Sequence, residues 1–167
     1  TAKKMGKPAH IHIELETGMN RTGFDRDELD EAMKMMQENR EHLQFKGLCT
    51  HMAGAESIAN YVRIKRQRIV YNKVTKWLRY EKHFLPNQQH VACSAAVIRY
   101  PETWLDLVRV GILQYGFWPS FETFIEYSTR NEHTHQNPLK RILSWKTRVM
   151  DLKSVPKGSY IGYGNSY

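Results

Sequence analysis

The sequence predicts an α/β fold built on a parallel sheet. Short β-branched runs alternate with longer segments of helical period, and strand and helix alternate three times along the chain. A strand, a helix and a second strand in that order usually form a parallel pair joined by a right-handed crossover. With 167 residues, of which 41% are hydrophobic, the chain is long enough to bury one core of ordinary size.

The first strand is predicted over residues 10–15, where polar side chains alternate with β-branched ones. Residues 16–23 contain two glycines and indicate a loop. Asp25, followed by Glu28 three residues later, is the pattern of a capping box and predicts the start of a helix. The apolar residues at helical spacing are Leu29, Ala32, Met33, Met36 and Leu43. We interpret this stripe as a packing face, not as part of a cofactor site.

The next strand and helix are predicted over residues 45–51 and from about residue 58 to residue 83. Apolar residues assigned to the second helix are Val62, Val70, Val74, Trp77 and Leu78. Residues 90–97 predict a third strand or a strand-to-loop junction. The alternation of period therefore continues through the middle of the chain.

The remaining segments predict a change of architecture. Pro101 can begin a short helix through Leu107, and residues 108–115 predict a fourth strand. Residues 117–137 show no clear period, so we expect a loop or insertion there. From residue 139 the pattern of alternating strands with a turn predicts the beginning of a β module.

Composition argues against several classes of protein. No run reaches the roughly 18 apolar residues of a membrane span. The first residues lack the apolar stretch of a signal peptide, so we expect a cytoplasmic protein that contacts no membrane. Cys49 and Cys93 are too few for a disulfide framework, and we expect both to be reduced.

Two binding alternatives stay open from the residues alone. The net charge of +8 and the basic cluster at 63–68 suit a nucleic-acid-binding module, because basic surfaces displace counterions from phosphates. The cluster lies on a predicted helix without a helix-turn-helix or RNA-platform signature, so no nucleic acid is expected. Cys49 and His51, with His90 and Cys93, could bind zinc, but neither spacing is typical of a structural site and no metal is expected.

Five short motifs carry a more specific signal when they are taken together. They are Glu-Thr-Gly-Met-Asn-Arg-Thr-Gly-Phe at 16–24, Gly-Leu-Cys-Thr-His-Met-Ala at 47–53, His-Val-Ala-Cys-Ser-Ala-Ala at 90–96, Val-Arg-Val-Gly-Ile-Leu-Gln-Tyr-Gly at 108–116 and Gly-Tyr-Gly at 162–164. In this order they resemble the successive motifs of alanine racemases. These isomerases use pyridoxal 5'-phosphate (PLP) to interconvert L-alanine and D-alanine for peptidoglycan synthesis.

The resemblance implies a partial TIM-type (β/α)8 barrel. Residues 1–138 would be its second half, with about strands five to eight, and residues 139–167 the beginning of a C-terminal β domain. In the family this domain meets the barrel of the partner in a homodimer. A whole barrel needs about 250 residues, so the chain cannot contain one. The Schiff-base lysine of the family matches nothing here, so we expect a fragment that is inactive alone.

The resemblance also implies a set of cofactor-binding residues. These are Arg21, His51, Ser94, Arg109, Gly111 and Ile112. Arg109 would hydrogen-bond the pyridine nitrogen and, because arginine keeps its proton, leave the ring uncharged. His51 would lie beside Arg109 under the ring. Ser94, with the amides of Gly111 and Ile112, would hold the phosphate.

Catalytic roles are implied for Arg21, His51, Arg109 and Tyr163. Arg21 resembles the arginine that contacts the phenolic oxygen of PLP and the carboxylate of the amino acid substrate. Tyr163 resembles the tyrosine that exchanges a proton on one face of the substrate. Racemisation needs two opposed proton handlers, because the α-hydrogen leaves one face and returns to the other.

The sequence departs from the family pattern at two positions. Glu14 stands where many members have a carbamylated lysine whose negative charge holds the arginine. Glutamate supplies the same charge, so we hypothesise that Glu14 supports Arg21. Cys93 stands where asparagine usually precedes the serine. A PLP-dependent racemase of serine or of basic amino acids stays an alternative, because part of the residues that shape the pocket are not in this sequence.

Overall fold

In the part of the chain that the structure describes, three parallel strands form one sheet. The computed structural model describes residues 1–84, 86–130 and 136–162. The strands are β1 (Ala9–Glu14), β2 (Leu43–Cys49) and β3 (Gln88–His90), in the order β1-β2-β3. Both neighbouring pairs are parallel. The α/β fold with a parallel sheet is therefore confirmed.

Helices connect these strands and follow the last one. The α-helices in the described ranges are α1 (Ala2–Met5), α2 (Arg26–Glu38), α3 (Tyr61–Tyr80), α4 (Ser94–Arg99) and α5 (Phe121–Arg130). Short 3₁₀ helices occupy Ile58–Asn60, Pro101–Thr103 and Ile112–Tyr115. Within the described residues no helix is long and apolar enough to cross a bilayer.

The predicted capping box at the start of α2 is confirmed. The Asp25 carboxylate accepts hydrogen bonds from the amides of Asp27 and Glu28, each at 2.9 Å, and Glu28 accepts one from the Asp25 amide at 3.0 Å. Buried positions on this helix are Leu29, Met33 and Met36. Leu43 was wrongly placed on this face, because the helix ends at Glu38 and Leu43 begins β2.

The buried face of α3 differs from the predicted one. Its members are Ile64, Gln67, Tyr71, Trp77 and Leu78. Val62 and Val70 are 58% and 38% exposed, so they do not belong to the core. The prediction placed the buried face on the wrong side of the helix. Positions 64, 67, 71 and 78 share one side of a helix, and this side includes a glutamine that a search for apolar residues alone leaves out.

The sheet has an apolar face and a polar face. Ile11, Ile13 and Leu15 join the core cluster with Leu48 and the buried residues of α2 and α3. Because side chains alternate along a strand, His10, His12 and Glu14 lie on the opposite face. The pairing of β1 with β2 is irregular between Ile11 and His12, where the partner shifts from Phe45 to Gly47.

One predicted strand is shorter than expected, and another is absent. The segment 90–97 is extended only up to His90, since Ser94, Ala95 and Ala96 begin the buried helix α4. The segment 108–115 contains no strand, only an isolated parallel bridge between Cys93 and Arg109. Gly111, at φ −106° and ψ −89°, leaves the extended conformation, and a 3₁₀ helix follows it.

The segment predicted as a loop at 117–137 contains the helix α5. Ser120 begins it, since its hydroxyl accepts a hydrogen bond from the Thr123 amide at 3.2 Å and its own amide donates to Thr123 Oγ1 at 3.1 Å. Glu126 on this helix pairs with Arg99 of α4 at 2.8 Å. Residues 136–162 show no strand of the predicted β module, and Trp145 is 95% exposed.

Candidate functional site

The carboxyl ends of the three strands form one edge of the sheet. β1, β2 and β3 end at Glu14, Cys49 and His90. Ligands in open parallel sheets bind at this edge, because the loops that follow the strands meet there. We call the loops 15–24 and 50–55, together with residues 91–94 and 109–112, the carboxyl rim.

Arg109 crosses the rim and contacts two strand ends. Its Nη1 donates to the carbonyl oxygen of His90 at 2.7 Å and also contacts His90 Nδ1, while Nη2 donates to the Thr50 carbonyl at 2.7 Å. Its own amide donates to the Ala92 carbonyl at 2.9 Å. These contacts use three of the five N–H groups of the guanidinium, so two others can serve a ligand.

The charge of Arg109 is held by neutral acceptors. Among the residues that the structure describes, no carboxylate forms an ion pair with it. Two carbonyl oxygens and an imidazole nitrogen fix its orientation without cancelling its charge. An electron-rich acceptor at the rim would therefore meet an oriented cation.

Two histidines near Arg109 are held in the neutral form. Burial, followed by the charge of Arg109 and the proximity of His12, lowers the pKa of His90 to about 4. Burial also lowers the pKa of His51, with further contributions from Arg21 and then Arg109. The structure thus places Arg21 and Arg109 each within electrostatic range of His51 at the rim.

Ser94, Gly111 and Ile112 lie together beside Arg109. The Gly111 amide donates to Ser94 Oγ at 2.9 Å, and Ser94 is buried as the first residue of α4. A Cβ added to Gly111 would come no closer than 4.0 Å to this Oγ, so the space next to the glycine is open. We expected the Gly111 amide to face a phosphate; here it binds Ser94, whose own hydroxyl proton can point to a ligand.

The loop that carries Arg21 is organised by Glu16. Its carboxylate accepts hydrogen bonds from the amides of Gly18, Met19 at 2.8 Å and Asn20 at 2.7 Å. Burial raises the pKa of Glu16, but these backbone donors outweigh burial and leave the pKa below its ordinary value. A charged carboxylate therefore shapes this loop near pH 7 and sets where the Arg21 side chain begins.

Glu14 lies next to the loop that carries Arg21. Its carboxylate accepts a hydrogen bond from the Thr22 hydroxyl at 3.2 Å. Within 1–84, 86–130 and 136–162, the ion pairs do not include one between Glu14 and Arg21. Its proposed support of Arg21 stays a prediction.

A buried polar network behind the rim was missed in the sequence. The Thr50 hydroxyl donates to the Leu15 carbonyl at 2.9 Å and lies 2.7 Å from the Thr17 hydroxyl. Gln67 Nε2 donates to Thr17 Oγ1 at 3.1 Å and to the His51 carbonyl at 2.9 Å, and Gln67 Oε1 accepts from the Ala53 amide at 2.8 Å. A glutamine in phase with the apolar stripe of α3 was the signal for this network.

The basic cluster at 63–68 also contributes to the rim. Arg63 donates through Nη2 to the Gly18 carbonyl at 2.9 Å, and Arg68 contacts Glu102. Part of the cluster thus stabilises loops of the chain itself. In the described part of the chain, no group of three possible metal ligands occurs. Tyr163, predicted to be catalytic, lies outside the described residues.

The comparisons with known proteins identify the family of the chain. Residues 1–119 match the family described as alanine racemase, N-terminal domain. The chain belongs to this family. Over 160 residues it is 31% identical to an alanine racemase of Leptospira interrogans, an alignment that covers 94% of the chain and 39% of the relative.

Solved alanine racemases share the fold. The enzyme of Clostridium difficile 630, in complex with cycloserine, superposes with a TM-score of 0.67 at 29% identity, over 75% of this chain and 34% of that one. The alanine racemase of Bacillus anthracis with bound L-Ala-P gives a TM-score of 0.68 at 30% identity, over 96% of this chain and 39% of that one. The chain thus spans about two fifths of the length of the curated relatives that it matches.

Proposed function

We propose that the protein containing this chain is a PLP-dependent alanine racemase. The observation that carries the proposal is the orientation of the Arg109 cation at the carboxyl rim by neutral acceptors. Its guanidinium keeps two N–H groups for a ligand, and among the described residues it has no carboxylate partner. Relatives named alanine racemase and membership of their N-terminal domain family support it.

The donor set at the rim fits PLP. A pyridine nitrogen needs one N–H donor, and a phosphate needs several donors without a bulky counter-charge. Arg109 offers the first, and Ser94 next to the open space at Gly111 offers part of the second. When bound, PLP would withdraw electrons from the α-carbon of the substrate and so make its hydrogen acidic.

Each rim residue then has a definite task. Arg109 donates a hydrogen bond to the heterocyclic nitrogen and keeps its own proton, since arginine is always charged. Ser94, with the Ile112 amide, holds the phosphate, while Gly111 supports Ser94. His51 lies beside Arg109 and stays neutral, because burial and two arginines lower its pKa.

The substrate side is assigned to Arg21 and Tyr163. Arg21 starts from a loop fixed by Glu16 and would bind the carboxylate of the amino acid through its planar fork. Tyr163 would take the α-proton as the phenolate, or return it as the phenol, on one face. Glu14 contributes negative charge near Arg21 and so lowers the net positive charge of this part of the carboxyl rim.

The place of the chain in the whole enzyme is part of the proposal. Residues 1–138 are assigned to about strands five to eight of the barrel, and residues 139–167 to the beginning of the C-terminal domain. Supporting this, the three strands are parallel and in sequential order, as in a barrel wall. We further propose a cytoplasmic homodimer, and an inactive chain when these 167 residues are isolated, since no residue here matches the Schiff-base lysine.

The experiment is a racemisation assay on the complete protein with PLP. L-alanine, L-serine and L-lysine are incubated separately, and the D-enantiomers are quantified by chiral chromatography. We expect D-alanine to form fastest, and the reverse reaction from D-alanine to reach the same equilibrium. Faster conversion of serine or lysine would move the substrate to the alternative class, and no conversion of any of them would refute the proposal.

A further inference from the structure

A histidine pair extends the contacts of Arg109 across the polar face of the sheet. His90, at the end of β3, contacts Arg109 through Nδ1, and its Nε2 lies 2.7 Å from Nδ1 of His12 on β1. The two ring centroids are 5.0 Å apart and the rings are tilted by 43°. The side chains of His12, His90 and Arg109 come from separate segments and are therefore joined through the two ring nitrogens of His90.

The chemistry of the donors fixes the direction of this chain of contacts. A guanidinium has only donors, so His90 Nδ1 must accept and carry no proton. Neutral His90 then has its proton on Nε2 and donates it toward His12. His12 Nδ1 must accept, which places the proton of a neutral His12 on its own Nε2. Each tautomer follows from the one before it.

Gly47 makes the space that His12 needs. A Cβ added to Gly47 would lie 2.2 Å from His12 Nδ1 and 2.5 Å from Cε1, well inside van der Waals contact. The atom met first is the nitrogen that accepts from His90. Gly47 sits in β2 as the partner of His12, so the close approach of a ring to the strand backbone requires glycine there.

We propose that His12 is a positioning residue for Arg109: its Nδ1 accepts the Nε2 proton of His90, which turns the His90 Nδ1 lone pair toward the guanidinium. Its effect on racemisation rests on the proposed function, but the tautomer itself does not. The neutral state of His90 near pH 7 agrees with this arrangement, because burial and Arg109 lower its pKa.

Three variants and one control test the proposal in the complete protein. His12→Asn keeps an acceptor oxygen near the position of Nδ1, and His12→Phe keeps a ring without an acceptor. Gly47→Ala leaves His12 in place but displaces its ring. His10→Phe changes a histidine two residues earlier on the same face, for which the described residues provide no hydrogen bond to His90.

The first measurement is NMR on protein labelled with ¹⁵N-histidine, with His90 assigned through His90→Gln. We expect a proton on His90 Nε2 in the wild type, in His12→Asn and in His10→Phe, protected from exchange with water. In His12→Phe and Gly47→Ala this signal should broaden or vanish. A proton on His90 Nδ1 in the wild type, or an unchanged signal in both disruptive variants, would overturn the proposal.

The second measurement is racemisation kinetics, which separates positioning from general damage. Because Arg109 faces the cofactor, we expect kcat to fall roughly tenfold in His12→Phe and Gly47→Ala, the effect of losing one hydrogen bond, with little change in the KM for alanine. His12→Asn should restore most of kcat.

Equal kcat in His12→Asn and His12→Phe would overturn the proposal. An inactive wild type with the expected NMR signals would refute only the proposed function. If His12→Phe does not fold, Gly47→Ala against His12→Asn decides.

Discussion

Arg109 Nη2 lies 2.7 Å from the carbonyl oxygen of Thr50, a residue 59 positions earlier in the chain. This bond joins the segment after α4 to the end of β2. Since Thr50 is buried and its hydroxyl is fixed to the Leu15 carbonyl, the acceptor for Arg109 is itself held in place. The orientation of Arg109 thus depends on rim carbonyl oxygens and on the His90 ring, and among the described residues no acidic side chain pairs with it.

Replacing Arg109 by lysine should reduce activity severely. Lysine keeps the charge but cannot reach Thr50, His90 and a ligand with one ammonium group. Loss of one or two charge-assisted hydrogen bonds, each about 1.5–3 kcal/mol, should lower kcat/KM at least about tenfold. Steady-state racemisation measures this, with Arg79→Lys at an exposed position of α3 as the control. Equal activity of the two variants would contradict the role of Arg109.

Ser94→Ala should weaken binding of the phosphate specifically. Removing one hydroxyl donor from a phosphate site should raise the Kd of PLP roughly tenfold. The Kd of pyridoxal, which has no phosphate, should stay unchanged in the same variant. Absorbance titration of the apoenzyme gives both constants, and Ser57→Ala, outside the rim, serves as the control. An equal loss for both ligands would mean that Ser94 has only a structural role.

Glu14→Gln should raise the KM for alanine a few-fold. The variant removes negative charge near Arg21 and His51 but keeps the size of the side chain and an acceptor for Thr22. Glu14→Asp, which keeps the charge, should stay closer to the wild type. Thr22→Val removes the hydroxyl partner alone and tests whether that bond matters. Unchanged kinetics in Glu14→Gln would refute the role of Glu14.

Gln67→Met should destabilise the protein and loosen the rim. The variant leaves the Ala53 amide and the His51 carbonyl without their hydrogen-bond partner. An unsatisfied buried group costs about 1–3 kcal/mol, so we expect a loss of about 2–4 kcal/mol in unfolding free energy, measured by urea denaturation. Gln37→Met on the exposed side of α2 should change it by less than about 0.5 kcal/mol. Equal stability of the two variants would contradict the network.

His90 should make stability depend on pH in mildly acidic solution. Its pKa is about 4 in the folded state and about 6.5 in an unfolded chain, so the unfolded state binds more protons between these values. The contribution of neutral His90 to the free energy of unfolding is complete above about pH 6.5. It declines toward pH 4, by at most about 3 kcal/mol. The urea midpoint should fall from pH 7 to pH 4.5, and less steeply in His90→Gln. Parallel profiles would exclude His90 as the source.

The periodic parts of the fold were predictable from the sequence, and the parts after β3 were not. The capping box at Asp25 and the alternation in β1 are local patterns, so they survive in the structure. The segment 108–115 has the β-branched composition of a strand, yet only Cys93 and Arg109 pair. A strand needs a neighbour over its length, and this requirement is not visible in local composition.

The site was predictable through its motifs and less through its contacts. His51 and Ser94 come soon after the ends of β2 and β3, and such positions meet at one edge of a parallel sheet. Arg109 reaches this edge through an isolated bridge with Cys93. The roles of Gln67 and Gly47 depend on which residues of other elements face them, and no local pattern states this. For Glu14, its charge and position in the motif suggested a contact with Arg21, but in the structure its carboxylate accepts a hydrogen bond from Thr22.

The most direct test of the account is a crystal structure of the complete protein with PLP bound. We predict that a guanidinium nitrogen of Arg109 lies within hydrogen-bond distance, about 2.7–3.2 Å, of the heterocyclic nitrogen, with the phosphate next to Ser94. A cofactor bound elsewhere, or a ring nitrogen that faces a carboxylate with Arg109 turned away, would contradict the account.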